Sequence, residues 1–315
     1  MLKLPLVSFI VTSFNYEKYL LKTLESIVAQ SYENIEIIIV DDASSDKSVE
    51  IAENFISVNQ DKRITLIRHE KNIGQLAAIQ TGLKKAQGEF VCFIDSDDVL
   101  LPDYAKIHIR VHMAASVAFT SCEIVEINQN DEIMTMYSPA SPHRKPHYKV
   151  KNLNDLLAVD NEHPDFKLVR SRKFNFGGWF WSPNGSAMFR KSVVEMMLLY
   201  KNSNKWKICP DKFIFNMANL VGGSATIFVP LLAYRRHGGN AGAGGAICGD
   251  TKYNNDKTTA VNIKNNIKIR PEAIKFILSN RKYFCEKFGK RATTKFIVKI
   301  LLSYLYVLKQ AATRG

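Results

Sequence analysis

Nowhere in the 315 residues is there an uncharged apolar run of about 18 residues, so no membrane-crossing helix is expected. Cysteine is sparse and shows no pairing pattern. Cys92, Cys122, Cys209, Cys248 and Cys285 are odd in number, widely scattered and contain no C-x-x-C. That argues against a disulfide framework and a zinc site, and fits a reducing compartment. No G-x-G-x-x-G or G-x-x-x-x-G-K accompanies the predicted sheet, which disfavours a dinucleotide enzyme and a P-loop NTPase. The apolar stretch 4–11 lacks a small-residue cleavage site and runs into Thr12, Ser13 and Asn15, so it reads as a buried strand rather than a secretory signal. Acidic residues are scarce at one end only. Residues 1–110 carry 12 Lys and Arg against 16 Asp and Glu, whereas residues 270–315 carry 11 against 2. The net charge of +13 therefore sits mostly in a basic tail, which can serve nucleic acid, anionic lipid or solubility.

What is present is an ordinary globular composition, 46% hydrophobic and 23% charged, long enough for a sizeable core and without internal repeats. The first hundred residues alternate apolar runs with amphipathic ones. Strands are predicted over 7–11, 35–40, 64–68 and 90–94, and helices over 16–30 (capped by Asn15), 46–58 and 74–86. This rhythm predicts an α/β fold with a mostly parallel sheet flanked by helices. Ligands of such sheets sit beyond the carboxyl ends of the strands, and both acidic clusters, Asp41-Asp42 and Asp95-Ser96-Asp97-Asp98, fall at such ends. Further on, 116–127 reads as strand, 138–150 as an exposed loop, 174–188 as an irregular aromatic and glycine-rich segment, and 237–250 as a glycine-dense one. Two helices, 271–288 and 293–310, are expected to part near Gly289.

Asp95-x-Asp97 on a turn can share a divalent cation, directly or through water, and that cation can hold a diphosphate. A solvated acidic turn that caps the next helix is the plain alternative. Asp41 and Asp42 are placed to accept from a base N–H or a ribose hydroxyl, or else to cap a helix for which Ser44, Ser45 and Asp46 already suffice. Residues 7–46, VSFIVTSFNYEKYLLKTLESIVAQSYENIEIIIVDDASSD, and 72–98, NIGQLAAIQTGLKKAQGEFVCFIDSDD, resemble the start of the family 2 inverting glycosyltransferases in order and spacing. The resemblance implies a GT-A type nucleotide-binding fold with a C-terminal helical extension, acting on a nucleotide-sugar of UDP or dTDP type. It implies donor contacts from Thr12, Phe14, Asn15, Asp42, Asp95 and Ser96, and a Mn²⁺ or Mg²⁺ ion at Asp97. The sequence departs from the family at Ile79-Gln80, where many relatives carry Arg-Asn, so no arginine contact is expected from that helix.

The second half is similar in fragments. WSPNGSAMFRKSVV (181–194) resembles the acceptor-side segment, and in CPDKFIF (209–215) Asp211 matches the family's catalytic base, with Pro210 in place of the preceding acid. A carboxylate suits the removal of a proton from an attacking hydroxyl, although Asp211 can also cap a helix over 211–220. In LLAYRRHGGN (231–240), Arg235, Arg236 and His237 are candidates to meet the diphosphate, with Arg236 taken as the donor contact and His237 as a third metal ligand or a structural histidine. The glycines after it suit a loop that closes over the donor. Trp179, Phe180 and Trp181 are equally a sugar-stacking cluster or core. His112, His143, His147 and His163 lack metal-ligand spacing.

The domain division that follows is a transferase domain over 1–240 (nucleotide-sugar half 1–110, acceptor half 111–240), a flexible linker over 241–270 and a basic helical extension over 271–315. In the last helix Lys295, Lys299 and Ser303 form a narrow polar stripe, so it packs inward, forms a dimer seam or lies on a membrane. The resemblance implies transfer to a hydroxyl of a glycan or lipid-linked acceptor, as in bacterial surface polysaccharide synthesis, at a cytoplasmic location peripheral to the inner face of the membrane. Nucleic acid is not expected, because no binding motif accompanies the charge. The rivals are a nucleotidyltransferase, which would need a glycine-rich basic loop where TSFNYEKY stands, and a nucleotide-binding protein without catalysis.

Overall fold

The computed structural model describes residues 4–60, 62–135, 166–169, 181, 183–207, 210–237 and 269–312. The expected loop 138–150, Trp179, Phe180, His143, His147, His163 and nearly all of the expected linker lie outside the described residues. β-branched runs form the sheet: β1 (Val7–Ser13), β2 (Ile35–Asp41), β3 (Ile64–Arg68) and β4 (Phe90–Asp95). They alternate with α1 (Leu20–Val28), α2 (Ser48–Val58) and α3 (Gln75–Lys85). Then follow β5 (Val99–Leu100), α4 (Tyr104–Ala114), β6 (Phe119–Ile127), β7 (Ile133–Thr135), β8 (Phe166–Val169) and β9 (Ala187–Arg190). After these come α5 (Lys191–Val194), α6 (Asp211–Gly222) and β10 (Ser224–Arg235).

The strand order is β3-β2-β1-β4-β9-β6-β10-β5, with β7 beside β6 and β8 beside β10. Strands β1 to β4 are mutually parallel, and β6 and β10 share their direction because β9 runs antiparallel between β4 and β6. The chain leaves β1 toward β2 and β3 and then returns to β4 on its other side. The crevice at the carboxyl ends of β1 and β4 is thus a topological switch point. Register brings Thr12 opposite Asp95 and Ser13 opposite Asp41, so both acidic clusters reach the same edge.

Alternation along the strands feeds two cores. Phe9, Val11, Ile37 and Ile39 pack with α1, α2 and α4, while Ile10, Ile38 and Val40 pack with α3 and α6. Gly82 lets α3 approach, since a Cβ there would stand 2.3 Å from Ile10 Cγ2. At the end of the chain, α7 (269–279), α8 (Arg281–Phe288) and α9 (Lys290–Ala312) join the second of these cores through Phe276, Phe284, Phe296 and Ile300.

Several boundaries moved. α1 begins at Leu20, because Asn15 adopts φ 61° and turns its side-chain oxygen to the Ser45 N–H, 2.8 Å away, instead of capping. The single helix expected over 271–288 is broken at Asn280, whose amide donates to the Phe276 carbonyl. Gly289, at φ 85°, makes the next break where expected. Trp181 is core: it is buried against Phe119 and Phe215, and its indole N–H donates to Ser224. His112, also buried, bonds to the Met188 carbonyl.

Candidate active site

The loop that leaves β4 is fastened from three sides. Thr23 of α1 donates to the carbonyls of Ser96 (2.9 Å) and Asp98 (2.7 Å), and the Asp98 N–H returns to the Asp95 carbonyl. The Ser96 hydroxyl donates to the Thr12 carbonyl at 2.6 Å, so this buried residue ties the ends of β1 and β4 together. From β10, Arg235 donates its backbone N–H to Asp98 and its Nε to the Asp97 carbonyl (2.9 Å). The buried guanidinium also reaches Asp131 and the Asn128 carbonyl and lies over the Tyr19 ring. Arg236 turns instead to Glu126, 3.5 Å away.

These anchors present the carboxylates at fixed positions. Asp97 Oδ2 lies 3.0 Å from His237 Nε2, and the imidazole is held between the rings of Tyr16 and Tyr19. Asp95 accepts from Gln75 at 2.6 Å and from the amide of Asn184, whose own buried oxygen has no partner. Burial, then the charges of Asp97 and Asp211, push the Asp95 carboxyl up to about 8. Asp98 is driven well above the usual range by burial and by the charges of Asp97 and Asp95, and its Oδ2 is buried without a partner. Asp211 opens α6 and receives the Lys212 N–H at 2.8 Å, and burial raises it to about 6 against the pull of Lys212. Burial and the charges of the aspartates also raise the hydroxyls of Tyr16 and Tyr234. The cluster thus holds more negative charge than its apolar surroundings support, a condition that a cation relieves.

Among the described residues, no three His, Cys, Asp or Glu side chains are grouped to hold a metal by themselves. Asp97 and His237 supply a carboxylate oxygen and an imidazole nitrogen side by side, with the carboxyls of Asp95 and Asp98 nearby. This set fits a divalent cation that takes its remaining ligands from a diphosphate and water.

Asp42 stands at the other side of the crevice. It accepts the N–H groups of Ile73 (3.0 Å) and Gly74 (2.7 Å) and lies 2.7 Å from His69 Nδ1, whose other nitrogen meets Thr81. Gly74, at φ 94°, can present that N–H only because it lacks a side chain, since a Cβ would meet the Lys207 backbone at 2.7 Å. A carboxylate has about four acceptor positions, and these groups occupy three of those of the buried Asp42. Asp41 is used in the turn to Ser44. Thr12 is half-buried and Phe14 exposed beside this crevice. Ile79 is buried, and Gln80 donates to the Met197 and Tyr200 carbonyls, so α3 offers no cation at these positions.

The sequence reading did not identify Gln75, Asn184, His69 or the loop-locking use of Arg235. Their hydrogen-bond partners are 12 to 138 positions away, and no local pattern marks them.

A mostly parallel α/β sheet with acidic residues gathered at its switch point has the architecture of a nucleotide-binding class of fold. The profile of Glycosyl transferase family 2 matches residues 8–177, more than half of the chain, and the chain belongs to that family. An uncharacterized glycosyltransferase of Haemophilus influenzae is 45% identical over 102 residues, which cover 32% of this chain and 40% of the relative. Another, alr2836 of Nostoc, is 28% identical over 234 residues, covering 74% of this chain and 66% of the relative. The chain thus spans less than two thirds of the length of either. Among solved structures, residues 1–349 of TarS from S. aureus, in complex with UDP-GlcNAc, align with a TM-score of 0.54 at 17% identity, over 96% of this chain and 81% of that one. That likeness is one of fold.

Proposed function

We propose that the chain is a metal-dependent inverting glycosyltransferase that moves a sugar from a UDP- or dTDP-linked donor to a hydroxyl of a glycan or lipid-linked acceptor. The observation that carries this reading is the meeting of Asp95, Asp97 and Asp211 at one crevice, close enough for Asp211 to act on the ionisation of Asp95. Membership of family 2 and the fold shared with a UDP-GlcNAc complex support it. In this reading Asp42, with Thr12, Phe14 and Asn15 beside it, receives the nucleoside. Asp95 takes the ribose, and Asp97 with His237 holds Mn²⁺ or Mg²⁺. An ion held there would supply positive charge to a diphosphate leaving group. Arg235 keeps the carboxylate loop in place, and Arg236 adds charge at the same strand end.

Asp211 is the general base. A carboxyl with a value near 6 is mostly ionised at neutral pH yet basic enough to accept a proton, which a normal aspartate does less well. The acceptor oxygen forms a bond to the anomeric carbon while the bond to the diphosphate breaks. The hydroxyl proton passes to Asp211 and the electron pair leaves with the diphosphate. A single displacement of this kind inverts the anomeric centre.

The test is calorimetric titration with a panel of nucleoside diphosphates, in Mn²⁺ and then in EDTA. One nucleotide is expected to bind in Mn²⁺ alone, and Asp97→Ala is expected to abolish that binding. Absence of binding to every nucleotide in both conditions sinks the donor-site reading.

A further inference from the structure

Opposite faces of α9 carry residues at the same spacing and meet different surroundings. Thr293, Phe296, Ile300, Ser303 and Val307 recur every three or four residues and are buried, with Ser303 accepting from the buried Arg270. Arg291, Lys295, Val298, Leu302, Leu305 and Lys309 recur in the same way and are exposed. The two rows are offset by two residues, roughly 200° around a helix, so the second faces away from the protein. Val298, Leu302 and Leu305 are 45%, 47% and 60% exposed, and Leu301, Tyr306 and Leu308 widen the patch. A contiguous apolar patch of this kind on a protein surface marks a site of contact.

We propose that this face of α9 lies on an anionic lipid surface, with Val298, Leu302 and Leu305 at the acyl boundary and Arg291 and Lys295 among the headgroup phosphates. The charge pattern selects this occupant. α9 contains no Asp or Glu, and its apolar middle is flanked by cations at both ends. A second copy of the helix, parallel or antiparallel, would set lysine against lysine with no acid on either helix to pair them. The apolar seam would also be shorter than the three or four heptads a coiled coil needs. An anionic surface pairs with the cations and takes the leucines, the two signals that peripheral attachment requires. Among the described residues no helix is long and apolar enough to cross a membrane, so the contact is a surface one. The proposal is independent of the reaction catalysed.

The test is co-sedimentation of the full chain with phosphatidylcholine vesicles, with and without phosphatidylglycerol. Binding is expected only where phosphatidylglycerol is present, and is expected to weaken as salt rises. Arg291→Gln with Lys295→Gln is expected to weaken partitioning about 25-fold, roughly fivefold per cation. Leu302→Ser with Leu305→Ser is expected to abolish it, while Leu278→Ser, an exposed leucine on α7, leaves it unchanged. All these positions face water, so the variants are expected to keep the parent circular dichroism. No binding of the parent chain to anionic vesicles overturns the proposal, and so does binding that survives the double serine variant. A dimer in sedimentation velocity that the same two serines dissociate assigns the face to a second copy and overturns it as well.

Discussion

Asp211 and Asp95 are carboxyls whose burial works against their own charge, and each makes a measurable demand on pH. Both stand above the ordinary aspartate value of 3.8 in the folded protein, at about 6 and about 8. The unfolded chain therefore releases these protons more readily than the folded one. The associated stability is fully present below the unfolded value, near pH 4, and is lost as pH rises through about 6 and then about 8. Without ligands, the melting temperature is expected to fall between about pH 5 and about pH 8. Asp95→Asn is expected to flatten the upper part of that fall. Scanning fluorimetry checks both, and a melting temperature that rises over this range contradicts the arrangement. A cation at the cluster competes with the same protons, so Mn²⁺ affinity is expected to increase with pH, by up to about tenfold per unit below about pH 8. For the reaction itself, Asp211→Asn is expected to lower kcat by about 100-fold or more while donor affinity is kept. Full activity in that variant removes Asp211 as the base. The aspartates were legible in the sequence because each follows a β-branched run or opens an amphipathic one. Asn184 and His69 were not, since their roles arise only when distant segments meet.

Elements were legible where burial follows a simple period, and less so where a side chain chose a tertiary partner over a local one. Strands β1 to β4 are mostly apolar runs, interrupted before their polar last residues only by Ser8, Thr12, Glu36 and Thr65, and composition marks them. The start of α1 was misplaced because Asn15, a good capping residue by type, bonds instead across to the Ser44-Ser45 turn. The break between α7 and α8 was hidden because Asn280 interrupts the helix without a glycine or proline to announce it. The contact of α3 with β1 offers a test at this scale. Alanine at Gly82 would gain about 1 kcal/mol of helix propensity. Its methyl would also stand 2.3 Å from Ile10 Cγ2 and 3.3 Å from Val40 Cγ2, in a fully packed layer. Overpacking of this kind costs about 1–3 kcal/mol. Gly82→Ala is therefore expected to lower the urea midpoint by the equivalent of about 1–2 kcal/mol at unchanged m-value. An unchanged or higher midpoint would mean that α3 can lift off the strand.

At the scale of the molecule, the basic tail joins the protein through the element that carries Asp211. Phe276 of α7 meets Phe213 and Tyr200, Phe284 of α8 meets Phe276, and Phe288 meets Phe296 of α9, with ring centroids 5.5 to 5.9 Å apart. Glu272 adds bonds to Lys205 and Tyr200. Pattern alone could not choose between inward packing and an outward contact for α9, because the helix is apolar on both sides. The structure turns one face inward, with the polar Ser303 buried against Arg270, and leaves leucines exposed on the other. A tail bound through a shared aromatic core has to unfold with the sheet rather than before it. Phe284 is fully buried in that core, and Phe284→Ala is expected to cost about 3–5 kcal/mol through lost burial and the cavity left behind. If the core is shared, that loss lowers the single transition of the whole chain, and far-ultraviolet circular dichroism and tryptophan fluorescence shift together, since Trp206 stacks on Phe213. An early helical transition with the fluorescence midpoint unchanged would show that the tail folds apart from the sheet, and that Asp211 does not depend on it.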